Sequence, residues 1–232
     1  MEIKDFEYEI ADPIDPRFIP VPYPSEFRKH QEHDQKTHGN WAGTGHPVAH
    51  HEKLEPTENT VTPSETEALR EYINSGYLFI NGFLRKRDSM GAEDLKIQTA
   101  KQSPKIALLD SVFDKVPPSE SEMVVHRGLS GIIAEKLKDT PVGSTFVDKG
   151  FVSTTDMIEI ARDFTSVGNS SDKRAVLSIT VSKGTKALRV SRFFKGDPRA
   201  ALELETILPR GLRFEITGRD GDTIQAKVVP NE

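Results

Sequence analysis

At Pro117 and Pro118 the hydrophobic period of the chain changes from helical to extended, and that change leaves few architectures open. Upstream, "TPSETEALREYINSGYLFINGFLRK" opens with Pro63 and Ser64, sets Glu67 three residues after Ser64 as in a capping box, and repeats apolar residues at helical spacing. Ser75-Gly76 predicts a break. "EDLKIQTAKQSPKIALLDSVFDKV" predicts another helix or two, interrupted near Pro104. Downstream, "MVVHRG", "STFVDKGFVSTT", "AVLSITV", "KALRV", "ALELETIL", "LRFEIT" and "TIQAKVV" alternate with period two, and Asp220-Gly221 marks the last turn. Only "DMIEIARDFTS" interrupts them as a short helix. Helices first and then mostly antiparallel strands, without a βαβ rhythm, predict an α+β domain.

Before Thr62 neither period holds. Pro13, Pro16, Pro20, Pro22, Pro24, Pro47 and Pro56 fall among few aliphatic residues, so this stretch buries too little apolar surface to offset its ordering entropy. Residues 1–60 are read as a disordered tail or linker with short extended pieces, and residues 61–232 as the folded domain. A hydrophobic content of 35% against 29% charged residues agrees with a chain only partly committed to a core. The net charge of -5 excludes a global basic field for nucleic acid or anionic membrane. The absence of cysteine excludes disulfides and thiolate metal sites. The acidic start "MEIKDFEYEIADP" has no apolar export region, and no run of about 18 apolar residues occurs, so a soluble chain is expected.

Six of the seven histidines, His30, His33, His38, His46, His50 and His51, lie in the tail. Imidazole suits zinc, nickel or copper, but these spacings match no compact ligand pattern, so no metal site is expected. The words "HDQKTHGNW" resemble a short segment of head-associated proteins of tailed bacteriophages, which implies association with a phage head through the tail.

Three strand-end features carry the chemistry. In "VVHRGLSG", Arg127 follows an apolar strand and precedes Gly128; it is either a rim charge or a bidentate grip on phosphate, which its planar fork suits better than lysine. In "KGFVSTTDMIEIARDF", Ser153, Thr154 and Thr155 close a strand before a helix. Thr155 or Asp156 serves as the cap, and three hydroxyls exceed what a cap requires. In "ALELETILPRG", alternation places Glu203 and Glu205 on one strand face with Ile207, opposite Leu202, Leu204, Thr206 and Leu208. That pair is either a solvated face or two site carboxylates.

In this order the three features resemble the Arg, Ser-Thr-Ser and Glu-x-Glu signature of the mono-ADP-ribosyltransferase exoenzymes. These are toxin-like enzymes that include phage-encoded members, and the resemblance spans residues 62–229, with Thr155 where the family often has serine. It implies an ADP-ribosyltransferase fold, with N-terminal helices on two mostly antiparallel sheets that form an NAD cleft. It also implies an enzyme that transfers ADP-ribose from NAD to an acceptor and releases nicotinamide. Cleaving the nicotinamide bond develops an oxocarbenium-like ribose, which a fixed carboxylate stabilises. The resemblance gives that role to Glu205, oriented by Ser153, and gives the pyrophosphate to Arg127. Gly128 would contact nicotinamide through its backbone, while Thr154 and Phe164 complete the NAD-binding set. No metal is needed, since nicotinamide departs neutral.

Glu203 matches the glutamate that marks arginine-modifying members, so the expected acceptor is an arginine of a host protein; a nucleic acid acceptor stays open. "SRFFKGDPRA" looks like the acceptor-recognising loop, in which Phe193 or Phe194 either stacks on the target side chain or packs inward. The polar loop "FTSVGNSSDKR" either closes over NAD or merely connects. Two rivals stand: an NAD glycohydrolase, against which Glu203 argues, and a silent virion or interaction protein, against which Arg127, Ser153 and Glu205 argue. The expected location is the host cytoplasm or a phage virion.

Overall fold

The computed structural model describes residues 56–165, 174–197 and 203–230, together with the backbone of residues 5–7. Most of the Pro- and His-rich stretch, and with it every tail histidine, lies outside the described residues.

The helical half folds as a helix, α1 (Pro63–Glu71), a π-helical turn (Tyr72–Gly76), α2 (Tyr77–Lys86) and the 24-residue α3 (Ala92–Lys115). The expected capping box sits two residues early. Thr62 caps the helix, accepting from Glu65 N at 3.2 Å, and Glu65 Oε2 accepts from Thr62 N at 2.6 Å. Pro63 occupies the first helical turn, where its missing N–H costs nothing. The expected break at Ser75-Gly76 is instead the π-helical turn, which carries the chain straight from α1 into α2. Pro104 lies inside α3 without ending it, because Ile106, Leu109, Val112 and Phe113 of its second half are buried.

Among the described residues, nine strands follow the order β1-β3-β8-β9-β5-β2-β4-β7-β6. They are β1 (Asp5–Glu7), β2 (Met123–Ser130), β3 (Thr145–Asp148), β4 (Val152–Thr155), β5 (Arg174–Val181), β6 (Leu188–Arg189), β7 (Glu205–Leu208), β8 (Leu212–Asp220) and β9 (Thr223–Val229). All neighbours are antiparallel except β1 with β3 and β5 with β9. β1 belongs to the stretch read as tail, so a short extended piece of that stretch joins the sheet edge. Three short helices interleave: α4 (Gly131–Asp139), α5 (Ile158–Thr165) and α6 (Val190–Phe193). No described helix is long and apolar enough to cross a membrane.

The two expected sheets are two parts of one ladder. Between β2 and β4 the pairing narrows to one register pair, His126 with Thr155, whereas β2 pairs with β5 over eight. Each part carries its own core. One packs α4 through Ile133, Ala134 and Leu137 on the long strands, with Phe146 and Phe214 stacked 5.2 Å apart. The other packs α1, α2 and α3 around Phe151, Ile207 and Leu188, beside β4, β7 and β6. The joint between the two parts is where the three motifs arrive.

Candidate active site

Strand order converts three motifs distant in sequence into neighbours. β4 lies between β2 and β7, with Thr155 opposite His126 on one side and Glu205 on the other. Arg127 follows His126 on β2, and Ser153 precedes Thr155 by two on β4, so Arg127, Ser153 and Glu205 gather at the joint.

Glu203 reaches the same cleft by a different route from simple alternation. β7 begins at Glu205, and Leu204 just before it has φ of 45°, a left-handed conformation rare for a branched side chain. Glu203 therefore precedes the strand and is aimed by the turn. β4 holds that turn: Thr155 Oγ1 donates to Glu203 O at 2.9 Å, and Asp156 N donates to Leu204 O at 3.4 Å. Thr155 Oγ1 also accepts from Met157 N at 3.3 Å at the entry to α5, so the third hydroxyl of the run does take a capping duty. Thr154, the second, is buried and donates to Thr206 O at 2.5 Å, a brace between β4 and β7. Ser153, the first, hydrogen-bonds Glu205.

The carboxylates crowd one another. Burial and the neighbouring Glu203 push Glu205 up to about 8, against the lowering effect of the Ser153 hydrogen bond and of Arg127. Tyr72 stands behind Ser153, its Oη 3.2 Å from Ser153 Oγ, and accepts from Asn81 Nδ2 at 3.1 Å. Burial pushes the Tyr72 phenol up to about 12, so it stays protonated. Asn81 also brackets Phe151, donating to its carbonyl at 3.0 Å and accepting from its N–H at 2.9 Å. Tyr77, one π-turn beyond Tyr72, lies with its ring 6.4 Å from that of Tyr72; burial, then Glu205 and Glu203, raise its pKa.

Arg127 is mostly buried, and its Nη1 has no hydrogen-bond partner; that atom stands 3.9 Å from Asp148 Oδ2. Gly128 runs under the last turn of α5: a Cβ there would meet Ala161 O at 2.3 Å and Phe164 Cβ at 3.0 Å, so only glycine fits. The Phe164 ring is exposed on α5. Arg70, Ile73, Asn74, Val190 and Asp197 line the cleft with Glu203 and Glu205. Phe193 and Phe194 are buried, in edge contact 4.8 Å apart, which settles them as inward-packing residues. The outer face of this end is instead Arg70, whose guanidinium lies 4.5 Å over the Phe194 ring and donates to Glu58 at 2.6 Å. Residues 166–173 and 198–202, within the two loops of interest, lie outside the described residues.

Sequence reasoning missed Tyr72, Asn81, Arg85 and Asp148. Their signal was present: Asn81 and Arg85 sit four apart on a helix face otherwise apolar, and a polar pair buried there must have partners.

Helices laid on a mixed antiparallel sheet, with the arginine, the hydroxyl run and the paired glutamates meeting at one strand junction, define the ADP-ribosyltransferase class. The chain belongs to the ADP-ribosyltransferase exoenzyme family, whose model matches residues 49–229. Enzymes of this family are NAD-dependent mono-ADP-ribosyltransferases. No curated protein matches the chain. Among solved structures it is similar to the Vis toxin of Vibrio splendidus, at 20% identity and a TM-score of 0.57 over 94% of this chain and 91% of that one. It is also similar to Plx2a of Paenibacillus larvae, at 18% identity and a TM-score of 0.54 over 90% and 100%. The ADP-ribosylating toxin BECa of C. perfringens, solved with NADH, is 20% identical with a TM-score of 0.51 over 74% of this chain and 44% of that one. At these identities the likeness is one of fold.

Proposed function

We propose that the chain transfers ADP-ribose from NAD to the guanidinium of an arginine side chain in a target protein, releasing nicotinamide. The observation that carries this reading is the pair Glu203 and Glu205 at one cleft, with Ser153 bonded to the second and Arg127 beside it. Arg127 holds the NAD pyrophosphate, for which its unpartnered Nη1 is suited. The backbone at Gly128 meets nicotinamide, and Phe164 borders that end. The Thr154 hydroxyl, already engaged, serves by fixing β4 to β7. As the bond from ribose C1 to the nicotinamide nitrogen breaks, its electron pair leaves with neutral nicotinamide, and Glu205 stabilises the positive ribose. Asn81, Tyr72 and Ser153 form a hydrogen-bonded chain that orients that carboxylate. The acceptor nitrogen then bonds to C1, and its proton passes to Glu203. An arginine acceptor draws support from Glu203, a carboxylate that lines the cleft beside Glu205 and matches a guanidinium in charge and hydrogen-bonding geometry. A structure of Vis holds agmatine, itself a guanidinium compound, at 20% identity and a TM-score of 0.57 over 91% of this chain and 88% of that one.

The test separates hydrolysis from transfer, using labelled NAD with agmatine or an arginine-containing protein. Glu205→Gln keeps shape and removes charge, and lowers both activities by about 100- to 1000-fold, the scale of losing one preorganised electrostatic stabiliser. Glu203→Gln abolishes transfer and leaves NAD hydrolysis within a few-fold. Transfer surviving in Glu203→Gln would overturn the acceptor assignment. Wild-type rates in both variants would overturn the site, and a wild-type enzyme that only hydrolyses NAD would identify a glycohydrolase.

A further inference from the structure

Behind Arg127 lies a buried ion pair with no role in the chemistry described above. Arg85 on α2 grips Asp148 at the end of β3 in bidentate fashion, Nε to Oδ1 and Nη2 to Oδ2, both at 2.8 Å. Each side chain is 6% exposed. Asp148 is held from two further directions: its Oδ1 accepts from Gly150 N at 2.9 Å, and its carbonyl accepts from Gly211 N at 2.8 Å. The fit leaves no slack, since a Cβ on Gly150 would lie 2.8 Å from Asn81 Oδ1 and 3.2 Å from the Arg85 guanidinium carbon. Burial disfavours the Asp148 anion, but the Arg85 charge and hydrogen bonds, with a smaller contribution from Arg127, keep its pKa below the ordinary carboxylate value. The anion is therefore permanent across the physiological range.

We propose that the Arg85–Asp148 pair is a positioning device for Arg127, holding its guanidinium toward the NAD pyrophosphate without consuming its hydrogen bonds. The geometry supports a division of labour. Asp148 commits three of its four lone-pair sites to Arg85 and Gly150, and at 3.9 Å from Oδ2 Arg127 Nη1 is attracted by its charge without being hydrogen-bonded. An aspartate without Arg85 would be free to form a closed pair with Arg127 and withdraw it from phosphate. An absent Asp148 would leave two buried guanidinium groups repelling each other. The same clamp ties α2 to the end of β3, from which the chain leads into β4 and Ser153. This inference rests on the reading of Arg127 as the phosphate ligand.

The experiment compares Arg85→Lys, Asp148→Asn and Arg127→Lys, singly and with Arg85→Lys joined to Arg127→Lys, by steady-state NAD hydrolysis and direct titration of NAD. Lysine at 85 keeps the charge but loses the fork. Arg85→Lys should raise KM for NAD by roughly 10- to 100-fold, the worth of one or two charge-assisted contacts, with kcat within about 3-fold. The double variant should be no worse than Arg127→Lys alone, because the clamp acts through Arg127. If Asp148→Asn fails to fold, the charge-conserving Arg85→Lys carries the test. Unchanged KM in a folded Arg85→Lys, or losses that multiply in the double variant, would overturn the positioning role while leaving Arg127 in place. A wild-type KM in Arg127→Lys would overturn the phosphate assignment itself, and the clamp's role with it.

Discussion

Burial of Glu205 beside Glu203 sets its charge against the fold, and that conflict is measurable. Its carboxyl rises from 4.5 to about 8, so between those values the folded chain holds a proton that the unfolded chain has released. Stability therefore falls as pH rises across that window, and the loss is complete above about 8. Glu205→Gln removes the dependence: urea unfolding at pH 8.5 should show the variant more stable than the parent by at least about 1 kcal/mol, with the gap closing toward pH 5. A variant less stable than the parent at both pH values would contradict the crowding of the two glutamates. If Glu205 stabilises the positive ribose as proposed, its ionised form is the active one, and kcat/KM for NAD hydrolysis should climb through pH 8 and flatten beyond it. Leu204 is the second residue under strain. Its positive φ costs about 1 to 2 kcal/mol and turns Glu203 into the cleft ahead of the strand, which period-two alternation alone does not provide.

At the scale of elements, α1 shows how a local motif is completed from afar. Thr62-x-x-Glu65 and Ser64-x-x-Glu67 are both capping-box patterns, and the first prevails because Glu65 is also claimed by α3, accepting from Ser111 Oγ at 2.6 Å and Lys115 Nζ at 2.6 Å. Burial alone would raise the Glu65 pKa; those partners and Thr62 outweigh it and bring it down to about 2. A lowered folded pKa contributes stability that is complete above the ordinary value of 4.5 and is lost as pH falls toward 2. Thr62→Ala should cost about 1 kcal/mol of unfolding free energy at neutral pH, with NAD kinetics unchanged. A thermal melt paired with a hydrolysis assay checks both, and a kinetic defect would tie α1 to the cleft more closely than its contacts indicate. The π-helical turn after α1 is the other element-scale device. It places Tyr72 and Tyr77 five residues apart yet in ring contact, one bonded to Ser153 and the other near both glutamates.

For the whole molecule, the boundary between tail and domain is less sharp than the composition implies. β1 pairs in parallel with β3 through Asp5, Phe6 and Glu7, and Glu58 holds Arg70 at the cleft rim while its N–H donates to Phe193 O at 3.4 Å. Deleting residues 1–48, which precede the family match, removes β1 and leaves Glu58 in place. A three-residue edge strand is a small loss, so Tm should fall by a few degrees, roughly 2 to 4 °C per kcal/mol for a domain of this size, with NAD cleavage within a few-fold. Calorimetry and hydrolysis of the truncated chain check this; a loss of activity beyond about 10-fold at unchanged Tm would place the tail in the reaction.

Much was legible in the residues themselves. The change of period at Pro117-Pro118 determined an α+β domain, and the order of Arg127, Ser153-Thr154-Thr155 and Glu203-x-Glu205 pointed to the chemistry, because period and residue type are properties of near neighbours in the chain. What only the tertiary structure decided involves groups far apart in sequence. Arg85 and Asp148 are 63 residues apart, and nothing local marks them as partners. Phe193 and Phe194 face inward because α1 and α2 supply a core for them. Leu204 adopts its strained turn because Thr155, at the end of β4, and Asp156 just after it hold the carbonyls of Glu203 and Leu204. Which capping pattern starts α1 depends on Lys115 and Ser111 of α3. Each of these outcomes is set by which segments meet, and the meeting is fixed by strand order and by packing of the two cores, which no short window of sequence contains.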